Sequence, residues 1–161
     1  MQTHIKHLSV NDEYWIFELL NTLCEFGIET NYNQYYTDTV DQDNKILNDI
    51  YILLHDIDTS IIILHDDKEI HGFSIVSTDK LFRIDEGLGI IVKFYVRKQY
   101  RGSVDGYRLT AASIAWFKDK GITQSFCTST GNIGIPSSAF ENLFSKFNYQ
   151  LIGKCLTRLH E

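Results

Sequence analysis

The segment Gly89–Lys120 constrains the fold of this chain more than any other stretch of the sequence. Ile90–Val96 is dense in β-branched and aromatic residues, which is typical of a largely buried strand. A turn that holds Gly102 and Gly106 follows, and after it apolar residues recur at helical spacing. A strand that enters a helix through glycines favours an anion, because unpaired N–H groups and the helix dipole both attract negative charge.

Strand and helix patterns continue along the rest of the chain. The predicted strands are Thr3–Ser9, Ser60–Leu64, Ile70–Ser77, Ile90–Val96, Ile122–Thr128 and Leu151–Leu159. The predicted helices run from a cap at Ser9 or Asn11 to Gly27, from Asp41 to His55, from Val104 to Gly121, and from Ser137 or Ser138 to about Phe147. Glu29–Thr39 has no clear period and is expected to be a loop or a broken helix.

The order of these elements is β-α-α-β-β-β-α-β-α-β. It predicts an α+β fold with a mixed, mostly antiparallel sheet and one βαβ crossover around the glycine turn. Residues 1–161 show no linker, repeat or low-complexity tract, so we expect a single domain.

Composition and charge argue against several classes of protein. The net charge of −6 at pH 7 argues against a large footprint on duplex nucleic acid. No apolar run reaches the ~20 residues that span a bilayer, and the first residues lack the apolar core of a signal peptide, so we expect a cytoplasmic protein without a membrane segment. Three cysteines without C-x-x-C and six histidines without ligand spacing predict no metal site.

Charge is distributed unevenly along the chain. The run from Asp38 to Asp67 carries eight aspartates and only one lysine or arginine, Lys45, whereas the segment Arg97–Arg108 is locally basic. The acidic run is either a solvated helix face with its loops or a rim that attracts a cationic, amine-bearing substrate.

The glycine turn resembles the pyrophosphate-binding motif of the GCN5-related N-acetyltransferases, in which R-G-x-G-x-G or R-x-x-G-x-G/A follows a strand that ends in valine. The matching residues here are Val96, Arg101, Gly102, Ser103, Val104, Asp105 and Gly106. Val104 stands where the family usually has a second glycine, and Asp105 puts a negative charge beside the expected pyrophosphate. A second resemblance, to the family's A-x-x-L-Y-x-K-x-G-F helix end, rests on Ala139, Leu143, Phe144, Lys146, Asn148 and Tyr149.

The resemblance extends over nearly the whole chain and implies a three-layer acyl-CoA N-acyltransferase fold with acetyl-CoA as co-substrate. It implies that backbone groups of Phe94, Tyr95 and Val96 pair with the pantetheine arm. It implies that N–H groups from Arg101 to Gly106 hold the pyrophosphate. Asn132 lies near the position where the family often has an asparagine after the fifth strand.

Acetyl transfer to an amine requires proton removal from the amine and stabilisation of the thioester oxyanion. Glu86, at the entrance of the central strand, is the candidate general base, although a charged residue at a strand end explains it equally well. The family's frequent general acid is a tyrosine, and Phe144 stands at that position. The thiolate therefore leaves unaided, another residue donates, or the protein does not turn over; Tyr149 is interpreted as a core aromatic.

The first functional hypothesis is N-acetyl transfer from acetyl-CoA to a primary amine of a small molecule or protein. The acceptor site would be walled by Tyr32, Tyr35 and Tyr36, with Ser129 as a further contact, and aromatic faces with carboxylates would suit a cationic amine. The alternative is a catalytically inactive binding protein with the same fold, and a third hypothesis is modification of a nucleotide. The last strand and the Phe-rich helix before it are possible homodimer surfaces.

Overall fold

The computed structural model describes residues 2–30, 40–79, 87–127 and 137–150. Within them lie the strands β1 (His4–His7), β2 (Thr59–His65), β3 (Ile70–Asp79), β4 (Leu88–Val96) and β5 (Ser125–Cys127). The helices are α1 (Glu13–Glu29), α2 (Val40–His55), α3 (Asp105–Asp119) and α4 (Ser137–Ser145), and a 3-10 turn covers Lys98–Tyr100. The predicted order is confirmed for these elements, while the predicted last strand Leu151–Leu159 lies outside the described residues.

The five strands form one sheet in the order β1-β2-β3-β4-β5. The first three pairings are antiparallel, and β5 is parallel to β4. Helix α3 connects these two parallel strands, since such a pair requires a crossover connection. The predicted mixed sheet with one crossover at the glycine turn is therefore confirmed.

Helices cover both faces of the sheet, and the sequence of β2 is consistent with burial on both sides. Ile61 and Ile63 pack on the α1/α2 side, whereas Ile62 and Leu64 pack on the α3/α4 side. All four are buried, because a strand covered on both faces carries a continuous apolar run instead of an alternating one. The molecule thus has three layers, as predicted. No helix among the described residues combines the length and apolarity needed to cross a membrane.

Helix α1 differs from its prediction at both ends. It begins after Asp12, whose carboxylate accepts hydrogen bonds from the backbone and hydroxyl of Ser9 at 2.8 and 2.9 Å. It passes through Gly27, which is buried, and ends at Glu29, where the Thr30 hydroxyl donates to the carbonyl of Phe26. Gly27 therefore does not end the helix, because tertiary packing on this face outweighs the low helix propensity of glycine.

The Arg97 side chain joins α1 to the sheet. It is only 5% exposed and donates to both carboxylate oxygens of Glu25, at 2.8 and 3.0 Å. It also reaches Glu18 at 3.0 Å and Glu69 at 2.9 Å. One guanidinium therefore binds α1, the β2–β3 turn and the end of β4 together.

We expect Arg97→Met to lower the free energy of unfolding by about 2–3 kcal/mol. Removing one partner of a buried ion pair costs ~3–5 kcal/mol, and the partial exposure of Glu25 and Glu69 reduces that figure. Urea denaturation measures the change. The matched control is Lys98→Met, an exposed base one residue further, for which we expect a change within about 0.5 kcal/mol. Equal effects of the two substitutions would contradict this role of Arg97.

Candidate functional site

The turn between β4 and α3 presents a row of unpaired backbone N–H groups. The first helical hydrogen bond of α3 runs from the N–H of Arg108 to the carbonyl of Val104, at 2.9 Å. The N–H of Asp105 is bound by the Ser103 hydroxyl at 3.1 Å. Within the described part of the chain, no acceptor pairs with the N–H groups of Gly102, Ser103, Val104, Gly106 and Tyr107. Five donors at one helix start form a site suited to an anion.

The backbone of this turn explains which of its positions require glycine. Gly102 has φ +81°, a conformation that strains a residue with a side chain. Val104 has φ −73° and ψ −5°, so valine occupies the position of the family's second glycine without strain. Its side chain is 67% exposed and leaves the N–H groups accessible.

The basic side chains of the turn are largely engaged inside the protein. Arg101 donates to both carboxylate oxygens of Glu29, at 2.5 and 2.7 Å, and to the carbonyl of Val96 at 2.8 Å. The hydrogen bonds from Arg101 lower the pKa of Glu29, so the pair stays ionised. Arg108 donates to the hydroxyl and carbonyl of Thr3. The attraction for an anion therefore comes mainly from backbone N–H groups, with exposed Lys98 beside them.

The Asp105 side chain is buried at the start of α3. It is 6% exposed, and Oδ2 lies 3.0 Å from Nδ1 of His71 on β3. The carboxylate therefore points beneath the turn, towards the sheet. Its predicted position beside a pyrophosphate remains a prediction.

Among the described residues, one edge of β4 has no pairing strand from the middle of β4 to the turn. The pairing of β4 with β5 covers only Gly89–Ile91, and a bulge in the β3–β4 ladder makes Val92 the extra residue. Beyond this point no described strand pairs with the β5 side of β4. The edge from Val92 to Val96 is ~13 Å long at ~3.3 Å per residue. It forms a path of backbone groups between the bulge and the N-terminus of α3.

Phe94, Tyr95 and Val96 lie along this free edge. Phe94 and Val96 contact the α3/α4 core, whereas Tyr95 contacts the α1/α2 core and donates from its hydroxyl to Glu29 at 2.9 Å. Burial raises the pKa of Tyr95, so this hydroxyl keeps its proton. Their predicted pairing with a pantetheine arm remains a prediction.

The other predicted site residues cannot be located. Glu86, Asn132, Ser129, Tyr32, Tyr35 and Tyr36 lie outside the described residues. Their assigned roles in catalysis, cofactor binding and acceptor binding remain predictions.

Phe144 is part of the core of the α3/α4 side. Its ring is 3% exposed and lies 5.3 Å from the ring of Phe94 and 5.2 Å from that of Tyr149. The Tyr149 hydroxyl pairs with Ser125, which is opposite Gly89 in the register and so three residues before the bulge. Neither aromatic residue therefore places a proton donor at the bulge. Phe144 also faces the core instead of a dimer surface.

Lys93 is a residue that the sequence analysis missed. It follows the bulge directly, it is half-buried, and its Nζ lies 5.9 Å from the ring centroid of Phe26 on α1. Burial lowers the pKa of Lys93, and the charge of Asp49 on α2 opposes this shift. The signal in the sequence is a single charge inside an apolar strand, IIVKFYV. An amine with a lowered pKa can accept a proton or bind a carboxylate.

Comparison with known proteins supports the fold and leaves the activity open. No family model and no curated protein matches the sequence. An aminoglycoside acetyltransferase from an uncultured soil metagenomic sample is similar, with a TM-score of 0.72 and 19% identity over 100% of this chain and 98% of the other. Aminoglycoside N-acetyltransferase AAC(6')-Iy in complex with CoA gives a TM-score of 0.71 and 15% identity, covering 99% and 95%. A transcriptional regulator from Bacillus halodurans gives 0.79 and 12%, covering 99% and 100%.

These similarities, together with the sheet order, the bulge and the glycine turn, define the class. The chain has the fold of the GCN5-related N-acetyltransferases, as its sequence predicted. At identities of 12–19% the comparison establishes the fold alone, so activity must be argued from the site.

We expect Lys93→Met to raise the free energy of unfolding at pH 7 by a few tenths to about 1 kcal/mol. Because the folded-state pKa of Lys93 is lowered, the unfolded chain binds the proton better and the lysine costs stability at neutral pH. This cost disappears as the pH rises towards the ordinary lysine pKa, so the variant's advantage should shrink by pH 10.

Urea denaturation at pH 7 and pH 10 measures both effects. Lys146→Met, at an exposed position on the segment after α4, is the control and should change stability within about 0.5 kcal/mol at either pH. A destabilised Lys93→Met protein at pH 7 would contradict the expectation.

Proposed function

We propose that this protein binds acetyl-CoA or a related acyl thioester and transfers the acyl group to a primary amine. The observation that carries the proposal is the continuity of two sets of backbone groups that have no partner among the described residues, the N–H groups of residues 102–104, 106 and 107, and the β4 edge Val92–Val96. A diphosphate requires clustered donors, and a pantetheine arm has two amides that a free strand edge can pair. CoA carries a pantetheine arm next to a diphosphate, in the same order in which the β4 edge leads to the turn.

The chemistry of the proposed reaction requires few protein groups. The neutral amine nitrogen attacks the thioester carbonyl carbon, the C–S bond breaks, and the electron pair leaves on sulfur as the thiolate. The nitrogen loses one proton to a base, for which Glu86 and the amine of Lys93 are the candidates. The bulge at Val92 would lie near the carbonyl, where a backbone N–H can bind the oxyanion. Phe144 offers no proton, so the thiolate leaves unprotonated or takes a proton from another residue.

The acceptor is proposed only as a primary amine. Two of the similar proteins are acetyltransferases for aminoglycosides, which are polyamines, and one is a ribosomal-protein-alanine N-acetyltransferase. Lys93, on the α1/α2 face, would repel a cationic acceptor that lies directly beside it. The exposed residues Asp43 and Asp49 on α2 would attract such an acceptor. An acceptor that carries both an amine and an anionic group would satisfy both charges.

The alternative, a binding protein without turnover, gains support from one observation. The position of the family's acid is a buried phenylalanine, so catalysis would have to proceed without that group.

We expect Val104→Asp to weaken the binding of CoA at least tenfold and Val104→Asn to weaken it less than threefold. The added carboxylate would lie among the free N–H groups and compete with the diphosphate. Aspartate is also a favourable residue at this helix start, so the loss of binding should occur without loss of thermal stability. Isothermal titration calorimetry with CoA measures the affinities, and equal affinities of the two variants would place the diphosphate elsewhere.

We expect acetyl-CoA to release its thiol in the presence of a suitable primary amine, at a rate that depends on the amine. A thiol-reactive dye measures the free CoA, and mass spectrometry of the amine detects the added acetyl group. The panel should contain polyamines, aminoglycosides, amino acids and peptides with a free N-terminus. Binding of CoA without acetylation of any of them would favour the inactive alternative, and absence of CoA binding would overturn the proposed function.

A further inference from the structure

A buried chain of three ionisable side chains lies beneath the turn. His71 is the bulged residue between β2 and β3, and it is 4% exposed. Its Nδ1 lies 3.0 Å from Oδ2 of Asp105, and its Nε2 lies 3.3 Å from Oδ2 of Asp66 without regular hydrogen-bond geometry. Both carboxylates are buried. They face opposite nitrogens of one ring, so the three groups do not converge on a common point.

The surroundings of His71 are tightly built. The ring of Tyr100, from the 3-10 turn, stacks on the His71 ring with centroids 3.6 Å apart and planes at 4°. The Tyr100 hydroxyl donates to Glu69, and this bond with burial raises the pKa of Tyr100 to about 12. Tyr100 therefore remains neutral, and it cannot balance the two carboxylates.

The fixed charges that face His71 come from three elements. Asp66 and Glu69 belong to the β2–β3 turn, Asp105 to the first turn of α3, and Arg97 to the end of β4. The guanidinium of Arg97 is bound by Glu69 and by two glutamates of α1, so it is already matched. The carboxylates of Asp66 and Asp105 have no other cationic side chain in contact among the described residues.

The state of Asp66 fixes the chemistry on one side of the ring. Its Oδ1 accepts the backbone N–H groups of Lys68 and Glu69 at 2.7 and 2.9 Å. These bonds hold the pKa of Asp66 at about 2, so the group is a carboxylate at neutral pH. A carboxylate accepts hydrogen bonds and donates none, so the 3.0 Å contact with Asp105 requires a proton on Nδ1 of His71.

We propose that His71 is a positioning residue for the diphosphate turn. Its Nδ1–H donates to the carboxylate of Asp105, holds it beneath α3 and so leaves the N–H groups of Val104 and Gly106 to an incoming anion. The inference rests on the proposed binding of CoA. Without this hydrogen bond, the Asp105 carboxylate turns towards the free N–H groups and occupies them.

The decisive experiment is a double-mutant cycle between His71 and Asp105, with CoA affinity from calorimetry at pH 7 as the readout. We expect His71→Gln to weaken CoA binding at least tenfold in the unchanged protein. In the Asp105→Asn background the same substitution should weaken binding less than threefold, because no carboxylate then needs the hydrogen bond from His71. A role limited to packing would give the same loss in both backgrounds and would overturn the proposal.

A second measurement examines His71 directly and does not depend on CoA. Long-range proton–nitrogen NMR of the histidine rings shows which ring nitrogen carries a proton, and absence of the signal from His71→Gln, or from His71→Asn if the first variant fails to fold, assigns it. We expect Nδ1 of His71 to carry a proton that is hydrogen-bonded to Asp105. An Nδ1 without a proton would overturn the proposal.

The outcomes separate this inference from the proposed function. If the unchanged protein binds CoA and His71→Gln binds it equally well, the role of His71 is overturned and the proposed function stands. If the unchanged protein binds no CoA, the proposed function is overturned, and the role of His71 with it, even where NMR finds the proton on Nδ1.

Discussion

The ion-pair network around Arg97 is the interaction on which the rest of the site depends. Helix α1 contributes Glu18, Glu25 and Glu29, which share one face of the helix and meet Arg97 and Arg101 from the end of β4. Because buried ion pairs offset much of their attraction by desolvation, the network contributes specificity more than net stability. It fixes where β4 ends and where the chain turns towards α3, and this position decides where the free N–H groups point.

The same network determines the electrostatics of the turn. Sequence alone suggested a basic patch, but two of its arginines are matched inside the protein by four glutamates, Glu18, Glu25, Glu29 and Glu69. An anion that enters this turn therefore meets backbone dipoles instead of free guanidinium groups. Dipoles of a fixed backbone need no reorganisation on binding, but their field is short-ranged. A buried carboxylate directly beneath these dipoles consequently affects their attraction for an anion. The contact between His71 and Asp105 is important for this reason.

The middle of β4 departs from regular sheet structure in two ways at one place. The bulge at Val92 interrupts the ladder with β3, and the described pairing with β5 stops at Ile91. Lys93 follows at once, and its charge costs stability in a half-buried position. Local departures that cost stability concentrate at functional sites. Phe144, by contrast, stands where the resemblance led us to expect a general acid, and it is part of the core.

The sequence by itself determined the order of the elements and the glycine turn, because these depend on periodicity and on backbone preferences over a few residues. The extent of α1 beyond Gly27, the partners of Arg97 and Arg101, and the direction of Asp105 were decided only by the tertiary structure. The charged partners in these interactions lie 28 to 79 residues apart in the chain. No local pattern encodes which distant charge will meet which, because that depends on how the helices pack on the sheet.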